Sequence, residues 1–505
     1  MALAVAAVLA AAGAGPGPAA LAQTAPQAEL VRIPFPQDDG SLTPYTFELG
    51  YSLMTLIYDT LLWRDADGVP QPWLARSVTP NGDGRQLTVR LVEGATWHDG
   101  RPVTAEDVAF TFRYVAGRPH PRFTAELRDV ERLDVFDPTT LVISLRRPSP
   151  GFSDQPLADL PILPAHIWSG LAPDKAAPEG PAIGSGPYRM AEYRPGQGWR
   201  FEANASYFRG RPAAAVLEVS VNRDATSTLE DFRQRRTDMV AVNLPRSAQA
   251  EVTGPGIRLA RGPSYLGTIL LFNTRQAPFD RLEARQAVAR LVRPERLAQV
   301  VGGAAAANRG YLHPASAWAP DDLLLPAASD APAGSPGTLA GGPVRVLAPD
   351  NDPVKIEAGR QVVQVMKGAG LDAELVQLGR EELVGAVGED GSAPTFQAAI
   401  WSSPALASYD PVVLGRLFGS DPRDAATNLS GYRSAAFDAA AERIASTPDR
   451  AARRAAVDEA LRTLATDVPV VPLFFTEGAF AFRPSIYDGW VFTKGTGILD
   501  KRSFV

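Results

Sequence analysis

The sequence predicts an α/β chain organised as more than one domain. Three observations carry this. Strand-like and helical patterns alternate along the chain, which favours α/β over a helix bundle or a sandwich. The 505 residues exceed one compact core, and at roughly 100–200 residues per domain about three domains are expected. Hydrophobic residues make up 45%, charged residues 21% and aromatics 8%, enough apolar surface to offset the entropy of ordering.

Residues 1–22 are nearly all Ala, Leu, Val, Gly and Pro and carry no charge. Within them the run Met1–Ala12 is about as long as a signal-peptide core and too short to span a bilayer. Ala20-Leu21-Ala22 supplies small residues before a cleavage point, with Gln23 as the expected mature start. The basic stretch that opens such leaders is missing, which points to a start codon assigned too late. An exported protein is expected.

Within 81–115, Asn81-Gly82-Asp83-Gly84 reads as a turn. Leu87, Val89 and Leu91 then alternate with Thr88 and Arg90, as a strand with one buried face requires. Trp97-His98-Asp99-Gly100 is a second turn. Thr104-Ala105-Glu106-Asp107 starts a helix, with Thr104 as N-cap and Asp107 in the reciprocal capping position. Val108, Phe112 and Val115 form its buried stripe. Residues 326–343, rich in Ala, Gly, Ser and Pro, read as a surface insertion or a loose crossing. Beyond them the pattern predicts a strand at 344–347 and a helix at 356–367 closed by Gly368 and Gly370. A helix at 450–466 with Val457, Leu461 and Leu464 on one face precedes a buried strand at 469–475.

Several function classes are disfavoured. A net charge of −6, from 50 basic and 56 acidic residues, leaves no basic footprint for nucleic acid. There is no cysteine, so disulfides, thiolate nucleophiles, zinc–thiolate sites and a lipoprotein cysteine are excluded. The histidines are His98, His120, His166 and His313, and no two are spaced as a local ligand pair. Neither a Gly-x4-Gly-Lys-Ser/Thr phosphate loop nor a Gly-x-Ser-x-Gly nucleophile elbow occurs. No catalytic residue, metal site or cofactor is expected. His98 reads as a hydrogen-bonded structural histidine rather than a base. Asp99 and Asp107 are accounted for by a turn and a helix cap.

The run Trp97-His98-Asp99-Gly100-Arg101-Pro102-Val103-Thr104-Ala105-Glu106-Asp107-Val108 closely resembles the signature of the family 5 extracellular solute-binding proteins. These are the peptide, dipeptide and nickel receptors of bacterial ABC importers. Further blocks agree in order: Gly184-Ser185-Gly186-Pro187-Tyr188, the Asn-x-x-Tyr-x-x-Gly-x-Pro pattern at 204–212, and Leu271-Phe272-Asn273-Thr274 with Pro278-Phe279-Asp280 and Arg285-Gln286-Ala287. The helix and Pro-x-x-Pro-Leu strand within 449–473 also match. The resemblance covers essentially the whole mature chain.

That resemblance implies a two-lobed periplasmic-binding-protein architecture of type II, closing by a hinge motion. The first lobe would comprise 29–47, 182–262 and 476–505, with an extra subdomain at 48–181. The second lobe would comprise 263–475. A monomeric periplasmic protein is implied, carrying a peptide or other small organic ligand to permease subunits in the inner membrane. Carried over, the cleft receives the loop with Thr43 and Tyr45, the region of Asn273, and the segment with Trp401, Tyr409 and Asp410. Trp401 offers a flat apolar wall with an N–H donor. The family's peptide receptors hold the peptide amino terminus with an aspartate three residues after this tryptophan. Here that position is Pro404, or Ala407 when Asp410-Pro411 is aligned with the Asp/Glu-Pro that follows. A buried ammonium without a partner costs several kcal/mol, so free peptides are disfavoured unless Asp410 substitutes. A metal-chelate, opine or oligosaccharide receptor is the alternative within the fold. A secreted hydrolase is the rival from another class.

Overall fold

In the computed structural model the described residues are 28–47, 50–118, 120, 122–172, 182–222, 224–241, 252–301, 305–307, 310–320 and 343–505. The expected leader at 1–22 and nearly all of the Ala- and Pro-rich segment 326–343 lie outside them.

Two apolar cores divide the chain. One gathers residues from Leu270 to Phe474; the other gathers residues from Ala28 to Val219 with Met239, Phe482, Tyr487, Ile498 and Phe504. The architecture is therefore two-lobed α/β, as the sequence predicts. In the first lobe, Ala28–Phe35 runs parallel to Ala214–Val221, followed by Gly198–Ala203 and Tyr188–Arg194 in a four-stranded sheet. A second sheet, ordered Ala75–Pro80, Gln86–Leu91, Thr140–Leu145 and Val130–Asp137, is antiparallel throughout. Among the described residues, no helix is long and apolar enough to cross a membrane.

Two long strands join the lobes. Arg258–Phe272 and Val470–Phe482 pair antiparallel, from Arg258 opposite Phe482 to Leu271 opposite Val470. The outer end of Val470–Phe482 pairs on its other side with Met239–Ala241. The inner halves of both long strands enter the second lobe's sheet, where Ala398–Ser403, Val344–Pro349 and Ala373–Leu378 continue it. The register slips between Pro263 and Gly267, and there Tyr265 takes φ of 60°, the left-handed region that non-glycine residues rarely occupy. The strand predicted at 469–475 extends to Phe482 because it does not stop at the edge of the second lobe. The helix predicted at 356–367 begins earlier, as Pro353–Gly368: the Asp352 carboxylate accepts from the N–H groups of Val354 and Lys355, and Pro353 sits in the first turn.

The residues that match the family pattern best hold the first lobe together. The strand Gln86–Leu91 buries Leu87, Val89 and Leu91, and the helix Ala105–Gly117 buries Val108, Phe112 and Val115. The Asp107 carboxylate accepts from the Thr104 N–H at 2.9 Å and from the Ala165 N–H at 3.0 Å. His98 docks on the glycine turn: its Nε2 lies 3.0 Å from the Gly186 carbonyl, and the Gly184 N–H donates to Nδ1 at 3.2 Å. Gly184 and Gly186 press against the helix Tyr51–Ile57, where a Cβ on either would overlap a backbone carbonyl of Ile57 or Leu56. This close approach explains why the turn needs glycine.

His98 has a pH consequence. Burial pushes its pKa down to about 4, and His120 and His313 are held equally low. Unfolded histidine titrates near 6.5, so between about pH 6.5 and 4 the folded protein binds fewer protons than the unfolded chain. The stability these rings allow is complete above that window and declines as pH falls through it. His98→Gln should remove about a third of this slope in melting temperature against pH. An unchanged slope would show that His98 does not titrate on unfolding.

Candidate functional site

The seam between the lobes lies where the second lobe's strand Ala398–Ser403 runs out toward the first lobe. It pairs with the long strand Arg258–Phe272, Trp401 opposite Ile269. Pro404 and Ala405 end it, the short helix Leu406–Tyr409 follows, and Asp410-Pro411 leads into the helix Val413–Phe418. The Asp410 carboxylate accepts the Val412 N–H at 2.8 Å, fixing this turn.

The structure places the six residues singled out from the sequence in different settings. Trp401 is half-buried against the second lobe's core. Tyr409 reaches into the first lobe, with Arg64 3.9 Å above its ring. Asp410 is 2% exposed and lies 2.5 Å from Arg453, an ion pair internal to the second lobe. Its carboxylate is committed to that guanidinium, so the structure argues against Asp410 as a displaced ammonium anchor. Asn273 does not join them. It follows the far end of the strand from the register slip, where its amide donates to the Phe396 carbonyl at 2.9 Å and its oxygen accepts from Arg275 Nε at 2.9 Å. Thr43 is fully buried and bonds within its own turn, its backbone N–H donating to Thr46 Oγ1 at 2.9 Å. Tyr45 donates to the Arg118 carbonyl at 3.2 Å and packs between Tyr114, His120 and Trp168. Both belong to the first lobe's interior packing.

Charged groups that the sequence does not single out line the seam. Arg416 of the second lobe lies 3.3 Å from the Glu126 carboxylate, the side chains only 12% and 9% exposed. It also reaches the Arg122 carbonyl and the Gln155 amide oxygen. Burial pushes Glu126 up to about 7, with Arg416 pulling the other way. Outward from it, Arg128 pairs with Asp424 at 2.9 Å, and Arg147 bridges Asp129 and Glu442. Behind the seam Arg122 makes a two-pronged contact with Asp159, at 2.9 and 2.6 Å, geometry that suits guanidinium and carboxylate. Arg64 holds Asp154 at 2.5 Å. Burial raises Asp154 to about 6 against the pull of Arg64, and the Asp410 charge adds to the rise.

A cavity of about 10 Å³ lies inside the second lobe, lined by Gly267, Thr268, Tyr311, Leu414, Phe418 and Phe475 among others. It is apolar, has room for about one water, and is too small for an organic solute. Among the described residues no group of three or more His, Asp or Glu could hold a metal.

Comparison with known proteins adds a family. Residues 69–424 match the model described as bacterial extracellular solute-binding proteins, family 5 Middle. A putative ABC transporter peptide-binding protein of Brucella ovis is 26% identical over 368 residues, 69% of this chain and 66% of its own length. The chain thus spans about two thirds of that relative. Among solved structures, the oligopeptide-binding protein AppA of Bacillus subtilis, in complex with a nonapeptide, aligns with a TM-score of 0.83 at 18% identity. It covers 95% of this chain and 99% of its own. AgaA of A. tumefaciens R10, in complex with agropinic acid, aligns at 0.77 and 21% identity, covering 94% and 96%. At these identities the structural likeness establishes the fold.

Proposed function

Because the chain belongs to the family 5 bacterial extracellular solute-binding proteins, we propose that it is the substrate-binding component of an ABC importer. It captures a peptide or other small organic solute between its lobes and presents it to permease subunits. It acts as a monomer in the periplasm and carries out no chemistry on its cargo. The observation that carries this reading is the pair of long strands, Arg258–Phe272 and Val470–Phe482, which cross together from one lobe to the other. Two adjacent crossings allow the lobes to rotate about one line while each stays rigid. A ligand touching both lobes then favours closure, because only the closed state makes all its contacts.

Within that class we infer a ligand held by aromatic and backbone contacts, with Trp401 as one wall. The two positions that align with the amino-terminal anchor carry Pro404 and Ala407, and Asp410 is paired with Arg453. A peptide ammonium there would stay uncompensated in a water-poor cleft. Amino-blocked or anionic organic solutes, including opines, avoid that cost.

The test is a thermal-shift screen of free peptides, amino-acetylated peptides, opines, oligosaccharides and metal chelates. A true ligand at a hundredfold its Kd should add about 2.7 kcal/mol to stability. Trp401→Ala should weaken it at least roughly tenfold, as loss of a stacked aromatic wall implies. Tight binding of unmodified di- to pentapeptides that vanishes when their amino group is blocked would defeat the ligand class. Catalytic consumption of a bound compound would defeat the receptor reading itself.

A further inference from the structure

Tyr409 belongs to the second lobe by sequence and packing; its neighbour Ala407 is part of that lobe's core. Its side chain, however, is seated in the first lobe. The Arg64 guanidinium covers one face at 3.9 Å. Arg64 is itself fixed by the Gly68 carbonyl at 3.1 Å and by Asp154, at 2.5 Å to the carboxylate and 3.0 Å to the carbonyl. The Tyr409 hydroxyl donates to the Lys494 carbonyl and lies 3.3 Å from Thr496 Oγ1. Lys494 is tethered to Asp67 at 2.7 Å. Burial raises the phenol to about 12, so it stays a donor.

Two glycines make room for the ring. A Cβ on Gly68 would stand 2.6 Å from Tyr409 Cε1, and a Cβ on Gly495 would overlap the Tyr409 hydroxyl. Their φ values are 85° and 82°, conformations that glycine adopts without steric cost. The socket is therefore built from two distant stretches of the first lobe, both shaped around a side chain that the second lobe supplies. The edge of the ring meets Tyr265 at 5.3 Å, Tyr265 meets His313 at 5.0 Å, and His313 meets Phe475 at 4.9 Å. Tyr265 and Phe475 lie on the two crossing strands, and Tyr265 holds the left-handed backbone at the register slip.

We propose that Tyr409 is an interlobe latch: it enters the Arg64–Gly68–Gly495 socket as the lobes close, and it holds them closed without touching ligand. The proposal rests on the hinge-closing receptor reading and adds a positioning residue to it. The latch lets the closed state form before ligand arrives. It makes apparent affinity depend on a residue outside the ligand's contacts.

The chain has no cysteine, so a labelled pair can be introduced cleanly. Phe136→Cys and Val300→Cys mark the two lobes at sites 70% and 50% exposed. Interlabel distances by pulsed electron resonance on the unliganded full chain report closure directly. The parent should show a dominant short distance. Tyr409→Ala should lower the closed-to-open ratio roughly tenfold, the size of one cation–π contact and one hydrogen bond. Gly495→Ala, which blocks the socket from the other side, should do the same. In a Tyr409→Ala background Gly495→Ala should lower the ratio no further, because the ring with which its Cβ collides is gone. A purely structural role for either residue would make the two effects add. Unchanged distances in both Tyr409→Ala and Gly495→Ala, or a parent that is open without ligand, would overturn the latch. Failure of the receptor reading would appear separately, as a screen without ligands or as turnover.

Discussion

Asp410→Ala is expected to cost about 3–5 kcal/mol of stability with no ligand present. The carboxylate lies 2.5 Å from Arg453, with side chains 3% and 4% exposed. The guanidinium has one further acceptor, the Ile444 carbonyl at 2.8 Å, and rests 4.8 Å from the Trp318 ring centre. Removing the carboxylate leaves the Arg453 charge buried with a carbonyl dipole, an indole face and the Asp154 carboxylate across the seam, none of which replaces the direct pair. Pairing the change with Arg453→Met should recover much of the loss, since both charges then leave the interior together. Thermal unfolding of the four proteins in the cycle decides it. An Asp410→Ala protein that melts with the parent and loses only ligand binding would return Asp410 to the ligand site.

Lys501→Ala should be comparably damaging to the first lobe, again about 3–5 kcal/mol. Lys501 Nζ lies 3.0 Å from Asp59 Oδ1, and neither side chain is exposed. The ammonium sits 4.2 Å from the Trp63 ring centre. Asp59 also accepts from Trp73 Nε1 at 2.8 Å and from the Tyr207 hydroxyl at 3.1 Å. Those neutral donors remain after the substitution, but they do not balance a buried carboxylate. Burial pulls the Lys501 ammonium below its ordinary range while Asp59 supports it. Lys501→Met preserves the stem's packing, so it should fall between the parent and Lys501→Ala. Joining it to Asp59→Asn should improve on Lys501→Met alone. A urea midpoint for Lys501→Ala equal to that of the parent would show that Asp59 is satisfied without it.

Features set by neighbouring residues were legible in the sequence. The alternation at 87–91, the Thr104–Asp107 cap and the stripe of Val457, Leu461 and Leu464 each depend on residues a few positions apart, and each is found in the structure. His98 read correctly as structural, because a turn leaves its ring few roles besides hydrogen bonding to backbone. The site was less legible, for a geometric reason. A motif order says which strand leads into Asn273 but not which end of that strand faces the seam. Asp410 finds Arg453 43 residues further on, and no local pattern announces that pair. The Tyr409 socket joins residues near 64–68 to residues near 494–496, none conspicuous alone. One signal was available: lysine is scarce, with Lys175, Lys355, Lys367, Lys494 and Lys501 the full set, and the last two, seven positions apart, each meet an aspartate of the first lobe.

The two crossings also set the order in which a growing chain can finish its parts. The core with residues from Leu270 to Phe474 is drawn from one continuous stretch, whereas the other needs Ala28 and Phe504 together. Asp59 emerges first and waits through 442 further residues for Lys501. At about 5–20 residues per second, that interval is roughly 20–90 seconds. Throughout it the Trp63 and Trp73 faces and the Asp59 carboxylate lack their final partner. The lobe translated later can settle before the lobe translated first. Synthesis thus leaves the first lobe unsealed, and open to whatever binds unfinished chains, until Lys501 has been made.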